Sequence, residues 1–230
     1  MGKDMRALFK AVLGILLITS TAVAQERPDP NNPQGVNFEV PEGWEVRLDH
    51  EMEDVIIGSQ PDSSDIYFVN MTPGWHITTG PAGIFYHSAN TASGSFSIET
   101  EIHFFDPGER NREGYGIFWG GANLQDDNQE YAYFLLRNTG EFLIKTRSGE
   151  ETGVVQGWTE SDAILKYENK EESSVLNSLM VKVDEELVRF YINSEEVTSV
   201  PSSEIKSDGI FGLRANHSVN LHISELRSLN

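Results

Sequence analysis

The chain contains no cysteine. That removes disulfides, thiol nucleophiles and an N-terminal lipid anchor on cysteine. Basic residues are scarce, with 17 Lys and Arg against 36 Asp and Glu and a formal net charge of −19. Such a surface repels nucleic-acid phosphates and anionic lipid, so neither is an expected partner. A neutral or cationic ligand, or a divalent cation, is more compatible. The sequence has no Gly-x-Ser-x-Gly elbow, no His-Glu-x-x-His and no Gly-rich phosphate loop, which excludes the chemistries built on those motifs. Its one long apolar run, Ala11 to Ile18, falls short of the roughly 20 residues of a spanning helix.

That run has a different meaning. Lys3, Arg6 and Lys10 precede or flank it, and Ala22-Val23-Ala24 follows as a small-x-small cleavage site. This is the layout of a secretory signal peptide over residues 1–24, so the expected location is periplasmic or secreted. These 24 residues carry +2, from three basic residues and Asp4, which leaves −21 for the rest. Residues 25–35, Pro- and Asn-rich without apolar periodicity, read as a flexible lead-in. Residues 36–230 show no second linker and no repeat, and are expected to form one domain. Without disulfides, that domain must rely on packing, with or without a bound ion.

Within it, period-2 alternation dominates. Phe96, Ile98, Thr100, Ile102 and Phe104 face one way; Ser97, Glu99, Glu101 and His103 face the other. "EYAYFLLRNTGEFLIKTRSG" reads as a hairpin turning at Asn138-Thr139-Gly140, and "SLMVKVDEELVRFYINSEEV" as a second. Two more strands end the chain. In "GWHITTGPAGIFYH", Trp75 and Ile77 alternate with His76 and Thr78 ahead of a Gly80-Pro81 turn, which points Trp75 and Ile77 to the core. "TESDAI" (159–164) is expected to make one helical turn, and 166–174 an exposed loop. Alternating strands bury one face each, which predicts an all-β, antiparallel jelly-roll β-sandwich.

The segments "GYGIFWGG" (114–121), "YFLLRNTGEFLIKTRSG" (133–149), "WTESDAI" (158–164), "VRFYINSEEV" (188–197) and "GIFGLRANHSVNLHI" (209–223) resemble the concanavalin A-like lectin/glucanase superfamily. They are most similar to its exported bacterial laminin-G-like and DUF1080 (3-keto-disaccharide hydrolase-like) domains. The resemblance implies the sandwich fold, a glycan-binding sheet and frequent calcium sites. It departs from the family-16-like glucanases, whose Glu-x-Asp-x-Glu strand motif is absent, and Asn193-Ser194 replaces the usual Asn-Gly turn.

Three constellations follow. Glu99 and Glu101, roughly 6.7 Å apart along a strand, meet the about 5–9 Å spacing of glycosidase carboxylates, with His103 on the same face. On a solvated strand face the same pattern is commonplace. Tyr133, Arg137, Lys145 and Arg147 share a parity and, with Arg214, supply a basic and aromatic patch; cross-strand pairing with acidic residues would explain them equally well. Trp75 and Trp119 offer stacking plates for sugar rings. Asp126, Asp127 and Asn128 carry the hard oxygen ligands calcium takes, or form an ordinary acidic loop. His76, His87, His103 and His217 could converge in space. The leading expectation is non-catalytic binding of a carbohydrate or another extracellular ligand. The alternatives are a DUF1080-like glycoside hydrolase using Glu99, Glu101 and His103, and a structural or adhesion module without a small ligand.

Overall fold

A computed structural model describes residues 38–229; the expected signal segment and lead-in lie outside the described residues. In chain order the strands are β1 (Trp44–Leu48), β2 (Ile57–Gly58), β3 (Ile66–Asn70), β4 (Trp75–Thr79), β5 (Gly83–Ala92), β6 (Phe96–Phe105), β7 (Gly114–Ala122) and β8 (Glu130–Arg137). They continue as β9 (Glu141–Ser148), β10 (Glu151–Glu160), β11 (Ser174–Val183), β12 (Leu187–Ile192), β13 (Glu195–Pro201), β14 (Gly209–Ala215) and β15 (Val219–Leu229). The front sheet runs β1-β5-β14-β7-β8-β9-β10, and the back sheet β13-β12-β11-β6-β15-β4-β3-β2. Every ladder is antiparallel except the short β2–β3 pair. This is the expected jelly-roll sandwich.

The expected hairpins form. β8 and β9 pair from Glu130–Ser148 to Arg137–Glu141, and Gly140 closes their turn at φ +86°, a left-handed conformation that suits glycine. The inward residues of β6 are buried and sit between the sheets with Ile77, Phe85, Ile117, Trp119, Phe134 and Phe190. Phe104 and Tyr115 stack across the core at 4.7 Å with planes 8° apart.

The front sheet departs from simple alternation. β7 and β8 are buried on both faces. Tyr115, Ile117 and Trp119 enter the inter-sheet core, while Ile84, Tyr86, Phe118, Tyr131, Tyr133, Leu135 and Leu143 form a second cluster on the outer face. Leu124, Trp158 and Ile210 pack on it. The near-continuous apolar runs "GYGIFWGG" and "YAYFLL" are what two-sided burial requires.

No helical turn forms at 159–164. Thr159 and Glu160 complete β10, and Ser161 begins a turn in which Ile164 N–H donates to Ser161 O at 3.3 Å. The cause lies in β11. Asn177, fully buried, accepts from Leu165 N–H and donates to Leu165 O, both at 2.9 Å, and donates to the Tyr115 hydroxyl at 3.2 Å. This clamp draws Ala163 and Ile164 into the end of the sandwich, and their burial outweighs one isolated helical turn, whose nucleation is unfavourable.

The β12–β13 turn places Asn193 at φ +50° and Ser194 at φ +70°. Asn193 compensates through its side chain, which accepts from Ser178 N–H at 2.9 Å and donates to Ala163 O at 2.8 Å. Ser194 carries a Cβ where glycine is preferred. Ser194→Gly should therefore raise stability by about 0.5–1 kcal/mol, read as an increase of about 2 °C in Tm.

Candidate functional site

The outer face of the front sheet carries a buried ion-pair network. Arg214 on β14 lies in register with Ile84 and Gly116 and is 5 % exposed. Its two terminal nitrogens each donate to one oxygen of Asp49, both at 2.5 Å. Asp49 sits just past the end of β1. Arg147 on β9 donates to the same carboxylate at 3.3 Å and to Asp49 O at 3.2 Å. The Arg214 guanidinium lies 5.1 Å from the centre of the Tyr133 ring, and Arg147 pairs in register with Tyr131. Burial pulls Arg214 toward deprotonation, but its hydrogen bonds to Asp49 and the neighbouring Tyr131, Asp49 and Tyr133 raise its pKa overall. Burial likewise pushes Asp49 up, and Arg214 and Arg147 hold it below the usual carboxylate range. Both groups are charged at neutral pH.

Beside this network opens a cavity of about 570 Å³. Its wall includes Arg47, Asp49, Glu51, Asp127, Arg147 and Glu150, with buried Gln129 at one side. Loop 123–129 forms part of the rim and is tied to the sheet. Gln125 donates to the Tyr86 hydroxyl at 2.7 Å and to Glu45 at 2.8 Å, and Arg47 donates to Gln125 O at 3.1 Å. Burial pushes the Tyr86 phenol up to about 12; the Gln125 bond opposes this, and the neighbouring Glu45 adds to it.

The other expected residues distribute unevenly. Tyr133, Lys145, Arg147 and Arg214 share this outer face, although Tyr133 is only 5 % exposed. Arg137 lies further along β8, bound to Glu141 at 2.6 Å and stacked 4.2 Å from the Trp158 ring. Trp119 is not a stacking plate. It points into the inter-sheet core at 0 % exposure, because β7 alternation sets it opposite in parity to Phe118, and its ring packs 5.7 Å from Phe190. Trp75 is half-buried against the core beside Trp44, at 4.7 Å between ring centres. Asp126, Asp127 and Asn128, read as either calcium ligands or an ordinary acidic loop, form an exposed turn. Among the described residues no three His, Asp or Glu side chains are arranged to hold an ion. Of this loop, Asp127 lines the cavity.

Glu99, Glu101 and His103 lie on the other side of the molecule, on the outer face of the back sheet. Glu99 is ion-paired with Arg227 at 2.8 Å, and Glu101 accepts from the Ser224 hydroxyl at 3.0 Å. Both border a separate cavity of about 310 Å³ with Met180 and Tyr191. The histidines that meet are His76, His222 and His103, neighbours in one row across β4, β15 and β6. Their ring centres are 6.4 and 5.7 Å apart. His87 lies on β5 in the front sheet, where its Nδ1 accepts from Ala89 N–H, and His217 is exposed. Neither joins the row.

Sequence reasoning missed Asp49, which no motif marks: it meets Arg214 across 165 positions of chain. It also gave no role to Trp158, whose segment it had singled out, or to His222 as the centre of the histidine row.

No protein-family model matches the chain, and no curated protein matches it in sequence. Solved structures match its fold. Carbohydrate-binding module CBM66 from Bacillus subtilis aligns with a TM-score of 0.56 at 12 % identity, covering 84 % of this chain and 97 % of that one. The VIP36 exoplasmic/lumenal domain in a calcium-bound form gives 0.54 at 9 % identity, over 83 % and 86 %. A GH16 protein of the Bacteroides ovatus mixed-linkage glucan locus, in complex with its product, gives 0.52 at 11 %, over 84 % and 97 %. The likeness is one of fold: the chain has the jelly-roll β-sandwich of these structures.

Asp49→Ala leaves Arg214 buried without its counter-charge and should cost about 3 kcal/mol, while adding Arg214→Met to that variant should recover much of the loss in chemical denaturation. Burial depresses His76 to about 4 and His222 to about 3, the latter helped by the neighbouring His103 and His76. Their folded pKa values lie below the unfolded value near 6.5, so the unfolded chain binds more protons between those limits. Stability is full above pH 6.5 and falls as pH drops toward 3–4, by on the order of 3 kcal/mol per histidine at full depth. His222→Phe should flatten the slope between about pH 6.5 and 5, where most carboxylates stay ionised.

Proposed function

We propose that this protein is an exported, non-catalytic carbohydrate-binding module, related to the laminin-G-like exported domains, that holds glycan hydroxyls in the cavity on its front sheet. The observation that carries this reading is the fixed Arg214–Asp49–Arg147 network, two members of which line the cavity wall. Sugar sites depend on rigid, planar donors and acceptors whose orientation is set before the ligand arrives. Here the buried pair holds Asp49 and Arg147 in place, and the loop bearing Asp127 and Gln129 is tethered through Gln125 to Tyr86 and Glu45. Asp49, the one carboxylate of the wall that is largely buried, is held by two arginines, whereas Glu51, Asp127 and Glu150 are exposed. The likeness to carbohydrate-binding module CBM66 supports the same reading at the level of fold.

The glycoside hydrolase alternative would use the separate cavity where Glu99 and Glu101 share a wall. Screening the purified protein against a glycan array, followed by titration calorimetry on the best ligand, separates the two. Arg147→Met should weaken binding about tenfold, or about 1.4 kcal/mol, with the fold retained. A double Glu99→Gln, Glu101→Gln variant should bind as the parent does. Unchanged affinity in Arg147→Met would refute the cavity as the site, and glycan cleavage abolished by the double variant would establish the hydrolase.

A further inference from the structure

We propose that the front-sheet cavity selects neutral, hydroxyl-rich glycans against carboxylated ones, because Asp49 already occupies the place a ligand carboxylate would take. This rests on the carbohydrate-binding reading above. A guanidinium that binds a sugar acid presents two parallel N–H groups to the two carboxylate oxygens. Arg214 makes that fork with Asp49, one nitrogen to each oxygen at 2.5 Å. Arg147 adds a further bond to the same carboxylate at 3.3 Å. The protein has therefore satisfied its own anion receptor from within.

Apart from Arg147, which is bound to Asp49, the cation that lines the wall is Arg47, and it stands among acids. Asp49, Glu51, Asp127 and Glu150 stand against Arg47 and Arg147, four carboxylates to two guanidiniums, on a chain of formal charge −19. Arg47 donates one of its nitrogens to the Gln125 carbonyl. Lys145 lies on the same sheet face in register with Tyr133, but is not part of the wall. An entering carboxylate would have to displace Asp49 from Arg214, leaving a buried carboxylate unpaired, or share Arg47 with Glu51, Asp127 and Glu150, which have no ion-pair partner among the described residues. Both routes are unfavourable. A hydroxyl meets the opposite situation. It can donate to the free lone pairs of Asp49, Glu51, Asp127 or Glu150 and accept from Arg147, with no ion pair broken. Specificity here comes from repulsion and an occupied receptor as much as from attraction.

The test is titration calorimetry of the purified protein with neutral gluco-, manno-, galacto- and fructo-oligosaccharides and with oligomers of glucuronic, mannuronic and galacturonic acid, at low and high salt. The expected result is binding of at least one neutral series, with every uronate at least about tenfold weaker and the gap narrowing at high salt as the repulsion is screened. In a triple variant carrying Glu51→Gln, Asp127→Asn and Glu150→Gln, all exposed positions outside the Arg214 pair, the ratio of neutral to uronate affinity should fall to about threefold or less. Uronates bound as tightly as neutral sugars, or an unchanged ratio in the triple variant, would overturn the charge selection while leaving glycan binding in place. No binding of either class would overturn the binding reading itself.

Discussion

The arrangement of the front sheet depends on one constraint: Arg214 is buried in mid-sheet, and a buried guanidinium must find a counter-charge. An isolated ion in a low-dielectric setting costs several kcal/mol even after relaxation. Asp49 supplies the answer in a two-oxygen, two-nitrogen geometry. Because Asp49 follows β1, the pair fixes the end of the edge strand over β14, two strands inward. Arg147 reaches the same carboxylate from β9, three strands beyond β14. Three elements far apart in the ladder are thereby held to a common point, and the polar wall of the cavity is made from that point outward.

Packing makes this polar point affordable only because the rest of the face is apolar. Tyr133 lies against the Arg214 guanidinium, and Phe118, Tyr131 and Tyr133 form a chain of ring contacts beside it. The aromatic faces accept the cation's field while excluding water. Two-sided burial of β7 and β8 is thus part of how the site is built. Without the outer cluster the Arg214–Asp49 pair would be screened by solvent, free to exchange partners, and of little use as a fixed template.

Much of this was legible in the sequence where local pattern decides it. The alternation of β6 and the Asn138–Gly140 turn follow from period and turn chemistry, and the common parity of Tyr133, Lys145 and Arg147 follows from the hairpin they share. Trp119 shows the limit. In "GYGIFWGG" both faces are apolar, so composition does not reveal which aromatic enters the core, and the pairing of β7 with β14 and β8 decides it. Asp49 shows a deeper limit. One aspartate among 36 acidic residues carries no local mark, and its partner is set by topology. The turn at 161–164 escapes local pattern because a buried asparagine 12 positions downstream of Leu165 outweighs local helix preference.

Two of the buried polar sites of the back sheet show why satisfaction matters more than polarity. Asn177 spends both ends of its amide on Leu165 and also reaches Tyr115 and Asn193, so it ties a loop, a turn and the opposite sheet together irrespective of pH. His222, equally buried, has neither ring nitrogen bonded, and His76 beside it leaves Nδ1 without a partner. Neutral imidazoles tolerate this at modest cost, whereas charged ones 6.4 Å apart would not. The location gives that asymmetry its consequence. His76 and His222 sit on facing positions of the β4–β15 ladder, and β4 is the strand through which β3 and β2 connect to the rest of the back sheet. Charge on this row presses on the one ladder that holds that edge in place, so loss of order on acidification should begin at β2–β4 and spread inward, leaving the Asn177 end and the front-sheet cavity intact longest.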